Sequence, residues 1–367
     1  MPAVQPSSSS SLVLVTGATG YIAAWVARCL LVHGYDVRGT VRSTSKGQQL
    51  LEIFQKLTGY GGPKFGKFDL VIVEDIAKEG AFDEAVKGVD AVEHVASPFH
   101  FDADDPNDII EPAVKGTVGI LQSVSKFGEK VKRVVITSSC GAISVANGKP
   151  VTFDETNWND VSVKQAREQG KKALGVTKYR ASKTLAEKAV WDFVSANPSL
   201  LWDIVTINPP FVFGPTTNHV PSPENLGTSA TDWYKTLMTQ DAGGKSLEFL
   251  ATKRFCWIDV RDVGEAHVRA LAKEEAGGNR IIISTEPFCW QEFLDIANSL
   301  TPSPYTKHPL ARGNPGAGSS AEPLCIYKAD RAKELLGMSN EEGADWKYKT
   351  KEETTRDTLA EFAAKGW

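Results

Sequence analysis

Residues 12–23 read LVLVTGATGYIA, and this stretch decides the fold. An apolar run of strand length leads directly into a turn built around Gly17 and Gly20, and a helical pattern with the small residue Ala23 follows. Backbone without side chains lets a phosphate approach, and the N-terminus of the next helix offers N–H donors and partial positive charge. A tight structural turn is the alternative interpretation, but the order of strand, turn and helix favours a phosphate-binding loop.

Outside this loop, apolar runs of strand length alternate with longer stretches of helical period. Such alternation is typical of repeated βαβ units, which build a parallel sheet between layers of helices. The pattern therefore predicts an α/β fold with a Rossmann-like, doubly wound parallel sheet. The predicted strands cover residues 12–16, 36–41, 68–73, 91–96, 131–137 and 203–208, and the predicted helices cover 21–32, 45–57, 81–86, 108–127 and 177–196.

After residue 208 the pattern changes, because five prolines between residues 209 and 223 interrupt any regular element. We expect a boundary or a substrate-facing loop there. A helix over 260–272, which Asp259 is placed to cap, and a late strand over 280–284 follow. The predicted parts are a disordered leader (1–11), a dinucleotide-binding Rossmann domain (12–208 plus 255–285), and a smaller C-terminal substrate-binding lobe that ends in an amphipathic helix (209–254 plus 286–367).

The composition limits the class of protein. The chain has 367 residues, its 41 Lys and Arg against 45 Asp and Glu give a formal charge of −4, and 41% of its residues are hydrophobic. These values are typical of a globular protein with a sizeable core and do not favour a nucleic-acid binder. Five scattered Cys without a CxxC pair indicate reduced thiols, and six His without ligand spacing argue against a metal site.

Targeting and membrane signals are also lacking in the sequence. The first eleven residues contain neither a basic nor an apolar region, and no run of about 18 apolar residues occurs. We therefore predict a cytoplasmic protein, monomeric or homodimeric, without a membrane or nucleic-acid partner.

The end of the second predicted strand bears on which dinucleotide binds. About 20 residues after the glycines, NAD-binding loops usually carry Asp or Glu for the ribose 2′-hydroxyl. Here residues 39–46 read GTVRSTSK, so Arg42 and Lys46 stand in place of a carboxylate. Arg42 can hold a 2′-phosphate through two hydrogen bonds and Lys46 can add a charge, which favours NADPH over NADH. The alternative is that both are ordinary solvated surface residues.

Residues at the ends of other predicted strands complete the expected dinucleotide site. Asp75 and Ile76 follow the third strand, and residues 95–97 end the fourth. For both groups, ordinary turn chemistry at a strand end is an equally good interpretation. Together with the loop, the predicted contacts are Gly17, Thr19, Gly20, Tyr21, Ile22, Arg42, Lys46, Asp75, Ile76, Val95, Ala96, Ser97 and Thr137.

Tyr179 and Lys183 are the candidate reactive pair. At positions i and i+4 they share one helical face at the start of a run of strong helix formers, whereas the same spacing at Tyr60 and Lys64 encloses two Gly and a Pro. Hydride reduction of a carbonyl leaves an alkoxide that needs a proton. A neighbouring Lys ammonium favours the phenolate and brings the pKa of the phenol, ordinarily about 10, closer to neutral pH.

A hydroxyl that polarises the carbonyl oxygen is also needed. The fifth predicted strand and the residues after it read VITSSC over 135–140. A hydroxyl there lies at the carboxyl edge of the sheet, where sites of this kind form.

Read in order, seven motifs resemble those of the extended short-chain dehydrogenase/reductases over roughly residues 12–300: VLVTGATGYIA, TVRSTSK, HVASPF, VITSS, YRASKTLAEKA, NPPFVFGP and CWIDVRDVGEAHVRAL. Within that superfamily the chain resembles fungal NADPH-dependent carbonyl and aldehyde reductases of the methylglyoxal reductase type, with plant dihydroflavonol and cinnamoyl-CoA reductases as relatives. The resemblance implies NADPH-dependent reduction of aldehydes or ketones.

The same resemblance implies roles for individual residues. Tyr179 would be the general acid, Lys183 would tune its pKa and bind the ribose, and Ser139 would orient the carbonyl, with Ser138 as the second choice. Gly17, Gly20 and Ala23 would form the pyrophosphate loop, and Arg42 and Lys46 would bind the 2′-phosphate. Asp75 would contact the adenine, and Pro209 and Phe211 would belong to the segment that packs against the nicotinamide.

The substrate half departs from the family's pattern. Cys140 stands where some relatives have an aromatic residue, and residues 157–177 are long and polar. The candidate substrate residues are Phe99, Cys140, Phe211 and Trp233. None of them is Arg or Lys, so they favour a small neutral aldehyde or ketone, although each is equally well interpreted as a core residue.

Three functions fit these observations. The first is an NADPH-dependent carbonyl reductase. The second, a sugar-nucleotide epimerase or dehydratase, shares the Ser, Tyr and Lys but handles an anionic diphosphate, which Arg42 and an apolar pocket argue against. The third, a regulator that senses NADP without turnover, typically lacks the Tyr and Lys that are present here at 179 and 183.

Overall fold

The computed structural model describes residues 3–6, 11–61, 65–97, 103–145, 148–319 and 322–367. The strands in these ranges are β1 (Leu12–Val15), β2 (Asp36–Val41), β3 (Phe68–Ile72), β4 (Ala91–His94), β5 (Arg133–Thr137), β6 (Val151–Phe153), β7 (Asp203–Asn208), β8 (Phe211–Phe213), β9 (Arg254–Phe255), β10 (Trp257–Asp259), β11 (Arg280–Ile282), β12 (Phe288–Cys289) and β13 (Cys325–Tyr327). The helices are α1 (Tyr21–Val32), α2 (Thr44–Gly61), α3 (Asn107–Phe127), α4 (Asp160–Gln169), α5 (Gly175–Ala196), α6 (Thr228–Met238), α7 (Leu247–Thr252), α8 (Val260–Ala272), α9 (Trp290–Ser299), α10 (Asp330–Leu336) and α11 (Lys351–Lys365).

Seven strands form one sheet in the order β11-β7-β5-β4-β1-β2-β3. The central strand β1 pairs in parallel with β2 on one side and with β4 on the other. The chain therefore moves outward from β1 to β3 and then crosses to the far side of β1. This reversal leaves a crevice at the carboxyl ends of β1 and β4, the usual position of a ligand in such sheets. The predicted doubly wound α/β fold is confirmed, and the late strand joins the sheet as β11 beside β7.

The predicted elements agree with the observed ones except over residues 81–86, where the predicted helix is wrong. This segment forms consecutive turns, in which Ala81 N donates to Lys78 O and Asp83 N to Gly80 O. Its apolar side chains Phe82 and Val86 are nevertheless fully buried. The apolar side chains of this segment therefore face the core, but six residues are too few to offset the cost of starting a helix.

The sheet separates two apolar layers. Along β1 the side chains alternate, so that Val13 and Val15 pack into one core cluster and Leu14 into another on the opposite face. The first cluster includes apolar residues of α1 and α8, and the second includes those of α3 and α5. Packing on both faces fixes the position of β1 and therefore the position of the turn that follows it.

Part of the predicted disordered leader is ordered. Val4 is 1% exposed, its N–H donates to Leu271 O, and its carbonyl accepts from the Tyr35 hydroxyl at 2.7 Å. At residues 3–6 the structure thus differs from the prediction, because the Val4 side chain packs in the core between α1 and α8. Residues 1, 2 and 7–10 lie outside the described residues.

A separate cluster of aromatic side chains gathers segments from the second half of the chain. Phe213 lies at its centre, with ring centroids 5.5 Å from Phe288, 5.5 Å from Trp290 and 5.6 Å from Phe293. Aromatic pairs at this separation contribute beyond the area that they bury. The division of the chain into two lobes stays a prediction. Among the described residues, no helix is long and apolar enough to cross a membrane.

We expect Phe213→Ala to lower the free energy of unfolding by about 3–5 kcal/mol, because it empties the centre of the aromatic cluster. The matched control is Phe127→Ala, since Phe127 ends α3 and is 38% exposed. That change should cost about 0.5 kcal/mol. Urea denaturation followed by tryptophan fluorescence measures both, and equal losses would show that the cluster does not hold this part of the fold together.

Candidate active site

The turn after β1 approaches β4 closely. Gly17 adopts φ +66°, and a Cβ at this position would lie 3.1 Å from the Ala96 Cβ. Thr16 Oγ1 accepts hydrogen bonds from the N–H groups of Val95 and Ala96, both at 3.0 Å, and Gly17 N donates to Thr40 Oγ1 at 2.8 Å. A side chain at Gly17 would be strained and crowded. The glycine therefore keeps the backbone of the turn bare beside the end of β4, as the sequence predicts for a phosphate-binding loop.

Helix α1 is also tied to the segment that follows β8. Tyr21 donates from its hydroxyl to Gly214 O at 2.7 Å, Trp25 Nε1 donates to Pro215 O at 2.7 Å, and Asn218 Nδ2 donates to Thr19 O at 3.1 Å. Burial raises the pKa of Tyr21 well above its ordinary value. Sequence reasoning missed these three bonds, because their partners are more than 180 residues apart in the chain.

A cavity of about 540 Å³ opens beside this junction. It is lined by Thr19, Ser45, Lys46, Gln49, Leu50, Asn218, His219, Pro221 and Asn225. The set contains a cation and no carboxylate, so a phosphate group of a ligand fits it. Arg42 lies four residues before Lys46, at the end of β2, and is exposed; among the described residues it forms no ion pair.

The candidate reactive residues come together at the carboxyl edge of the sheet. Ser139 follows β5 and is hydrogen-bonded to Tyr179, the fifth residue of α5. Lys183 lies one turn further along α5, with its Nζ 6.0 Å from the centre of the Tyr179 ring, and donates to Ser97 Oγ at 2.8 Å. The structure thus brings the predicted serine, tyrosine and lysine together and places Ser97, just after β4, beside them.

Burial dominates the electrostatics of this group. It raises the pKa of Tyr179 to about 12, against the opposing hydrogen bond from Ser139, and lowers the pKa of Lys183 to about 8, against the opposing charge of Glu187. At neutral pH the phenol carries its proton and the lysine is mainly an ammonium ion. Tyr179 must carry its proton in order to donate it, so these protonation states suit a proton donor. That Lys183 lowers the pKa of Tyr179 stays a prediction.

Glu187 organises the residues behind the reactive group, and sequence reasoning missed it. Its carboxylate, 2% exposed as a residue, accepts from Ser138 Oγ at 2.5 Å, from Asn208 Nδ2 at 2.8 Å and from Arg280 Nε at 2.6 Å. Asn208 Nδ2 also donates to Ser139 O at 3.3 Å. One carboxylate therefore joins α5 to the ends of β5 and β7 and to β11. The signal was present: Glu187 lies four residues after Lys183, on the same helical face.

Several predicted cofactor contacts have structural partners as well. The Thr137 hydroxyl is 2.9 Å from His267 Nε2, and His267 Nδ1 is 2.5 Å from the buried Glu93 carboxylate. Asp75 is exposed and accepts from Ala77 N at 2.9 Å. Ile76 packs against Gly116 of α3, and the Pro209 carbonyl accepts from Cys140 N at 2.9 Å.

The candidate substrate residues are placed differently from one another. Cys140 is 2% exposed and donates to Asn208 O at 3.1 Å, and burial raises its pKa well above the ordinary value. Trp233 is 1% exposed within the aromatic cluster. Both therefore pack as core residues, which the sequence analysis gave as the alternative. Phe211 is half-buried, with its ring 5.6 Å from Phe255, and Phe99 lies outside the described residues.

A doubly wound parallel sheet, a bare turn after its first strand, and a serine, tyrosine and lysine at its carboxyl edge define a class of enzyme built to bind a dinucleotide. The chain belongs to the NAD dependent epimerase/dehydratase family, whose model matches residues 13–284, and the resemblance to the extended short-chain dehydrogenase/reductases is confirmed.

Two curated relatives cover almost the whole chain. Ketoreductase azaE of Aspergillus niger is 38% identical over 339 residues, which are 90% of this chain and 94% of that protein. NADPH-dependent methylglyoxal reductase GRE2 of Saccharomyces cerevisiae is 35% identical over 361 residues, 95% of this chain and 97% of that one. The crystal structure of Gre2 from Candida albicans in complex with NADPH matches with a TM-score of 0.79 at 34% identity, over 97% of this chain and 100% of that chain.

Glu187→Gln should lower the free energy of unfolding by about 3–5 kcal/mol, because it leaves the buried Arg280 guanidinium without a carboxylate. Glu168→Gln on α4 is the matched control, since the Glu168 side chain is 63% exposed and its partner Lys164 is 3.8 Å away. There the loss should be at most about 1 kcal/mol. Urea unfolding measures the difference, and an unchanged midpoint for Glu187→Gln would contradict the role given to this carboxylate.

Proposed function

We propose that this chain reduces small aldehydes and ketones to alcohols with NADPH, and that Ser139, Tyr179 and Lys183 are its catalytic residues. The observation that carries the proposal is the hydrogen bond between Ser139 and a half-buried Tyr179 that keeps its proton, with Lys183 one helical turn away and the bare turn of Gly17 at the same edge of the sheet. Relatives named as a ketoreductase and as an NADPH-dependent methylglyoxal reductase support it.

The residues have complementary tasks in this proposal. Ser139 and Tyr179 donate hydrogen bonds to the oxygen of the substrate carbonyl, which polarises the C=O bond and fixes its orientation. Bound NADPH supplies the hydride. As negative charge develops on the oxygen, Tyr179 transfers its phenolic proton to it. The Lys183 ammonium stabilises the phenolate that is left until a proton from solvent restores it.

The dinucleotide would lie along the carboxyl ends of β1, β2 and β4. The positive charges of Arg42 and Lys46 make the end of β2 suitable for a 2′-phosphate, and the cavity that Lys46 lines has room for such a group. The residues proposed to hold NADPH are Gly17, Thr19, Gly20, Tyr21, Ile22, Arg42, Lys46, Asp75, Ile76, Val95, Ala96, Ser97, Thr137, Tyr179, Lys183, Pro209 and Phe211.

The direct test measures the loss of NADPH absorbance with a panel of methylglyoxal, aliphatic and aromatic aldehydes, an aryl ketone, a β-keto ester and a cinnamoyl-CoA thioester, repeated with NADH. Turnover with NADPH and little with NADH is the expected result. Binding of NADPH, seen by fluorescence, without turnover of any carbonyl compound would favour a sensor or an epimerase instead.

Tyr179→Phe should leave the affinity for NADPH unchanged and lower kcat by about 10²–10⁴-fold, because the variant keeps the ring and loses the proton donor. Fluorescence titration and steady-state kinetics measure the two quantities. Tyr234→Phe, a half-buried ring of the aromatic cluster 5.3 Å from Phe362, is the control and should keep wild-type kcat. If Tyr179→Phe retained full kcat, the phenol would not be the proton donor.

Arg42→Asp should raise the KM for NADPH by about 10–100-fold relative to that for NADH, because the 2′-phosphate loses a charged partner and meets a carboxylate. Arg356→Asp on α11, which places the same change of charge on an exposed helix face, should leave the ratio of the two KM values as it is. A parallel rise of both KM values in Arg42→Asp would assign Arg42 a structural role only.

A further inference from the structure

Gly141 marks a point where three side chains meet. An ideal Cβ at this residue would lie 3.2 Å from Ser139 Oγ, 3.6 Å from Tyr179 Cε1 and 3.5 Å from Arg180 Cγ. Because glycine has no side chain, this point is left for other atoms. The stem of Arg180 thus borders the same small space as the hydroxyl and the ring that the proposed reaction uses.

The guanidinium group of Arg180 has no protein partner among the described residues, in which it forms neither a hydrogen bond nor an ion pair, although the residue is half-buried. Other partly buried arginines are paired. The side chains of Arg254 and Arg269 are 15% and 17% exposed, and they lie 2.9 Å from Glu292 and 2.7 Å from Glu265. The donors of this guanidinium are not used by the protein, so they can bind an acceptor that a ligand supplies.

The charge of Arg180 reaches the reaction site. Burial raises the pKa of Tyr179, and the positive charge of Arg180 partly offsets that rise. The pKa of Cys325 is lowered first by a hydrogen bond with Cys256, then by hydrogen bonds with Tyr327 and Ser144, and least by the charge of Arg180. The positive charge of Arg180 therefore acts on Tyr179, whose ring borders this space.

We infer that Arg180 is a substrate-binding residue and that the substrates of this chain include oxo acids, that is, carbonyl compounds with a carboxylate near the reacting carbonyl. This inference rests on the proposed function. Ser139 and Tyr179 hold the carbonyl oxygen while the planar guanidinium pairs with the carboxylate through two hydrogen bonds. The reaction consumes NADPH and one proton, reduces the carbonyl to an alcohol, and leaves the carboxylate unchanged.

The inference changes the substrate class that the sequence favours. The four candidate substrate residues contain no cation, and therefore point to neutral aldehydes and ketones. Arg180 lies inside the YRASK motif, where spacing drew attention to Tyr179 and Lys183 alone. On an α-helix, residue i+1 points about 100° away from residue i, so the pattern gave no reason to place Arg180 at the site. The contact with the Gly141 position supplies that reason.

The experiment compares 2-, 3- and 4-oxopentanoate with their methyl esters as substrates of the wild type, Arg180→Gln and Arg180→Lys. Each ester keeps the carbonyl and the chain but has no charge. In Arg180→Gln, the ratio of kcat/KM for the preferred acid to that for its ester should fall by about 10–100-fold, mainly through the KM of the acid. Arg180→Lys keeps the positive charge but cannot form two parallel hydrogen bonds with a carboxylate, so its acid-to-ester ratio should fall less. Arg167→Gln on the exposed face of α4 is the control and should keep the wild-type ratio.

The outcomes separate the two proposals. If the wild type reduces the esters but no acid, or if Arg180→Gln lowers kcat/KM equally for acid and ester, the carboxylate site is refuted and the proposed reductase activity stands. If the wild type reduces neither the esters nor the other carbonyl compounds of the panel with NADPH, the proposed function itself fails. Should Arg180→Gln not fold, the acid-to-ester ratio of Arg180→Lys decides, because an unchanged ratio would also refute the site.

Discussion

The buried carboxylate of Glu187 is the interaction on which the reactive geometry depends. Ser138 follows β5, Asn208 ends β7 and Arg280 begins β11. Hydrogen bonding within the sheet does not fix where these three side chains lie relative to α5. Glu187 collects donors from Ser138, Asn208 and Arg280 and thereby fixes these ends relative to α5. Since α5 also carries Tyr179 and Lys183, the same carboxylate sets the distance between the helix and the serine that follows β5.

Burying such a group is expensive, and the structure offsets the cost locally. The Arg280 guanidinium has a 2.6 Å contact with Glu187 and lies 3.6 Å from the centre of the Trp158 ring, so that charge meets charge and the flat face of the cation meets an aromatic ring. At the nearby reactive residues burial outweighs the opposing interactions, which are the hydrogen bond with Ser139 at Tyr179 and the charge of Glu187 at Lys183. Burial therefore moves the pKa of Tyr179 up and that of Lys183 down, and their protonation is open to change when a substrate or cofactor enters.

The sequence predicted what depends on local order and period. Alternation of strands and helices, the bare turn at Gly17, and the shared face of Tyr179 and Lys183 follow from neighbours in the chain, and the structure shows each of them. Contacts between segments that are distant in the chain could not be predicted from the sequence. No spacing rule indicates that Glu187 meets Arg280, or that Trp233 is buried in the aromatic cluster rather than exposed in a pocket. The helix expected over 81–86 was wrong because consecutive turns bury Phe82 and Val86 without a continuous helix.

The three hydrogen bonds that join Thr19, Tyr21 and Trp25 to the segment after β8 have a consequence for biosynthesis. They join residues from the first tenth of the chain to residues well past its middle, and the cavity lined by Lys46 and Asn218 exists only once both are in place. During translation the glycine turn and β2 emerge long before Asn218. A nascent chain can thus complete its first strands while half of this cavity is still missing, and the cavity is complete only when the segment after β8 has folded against α1.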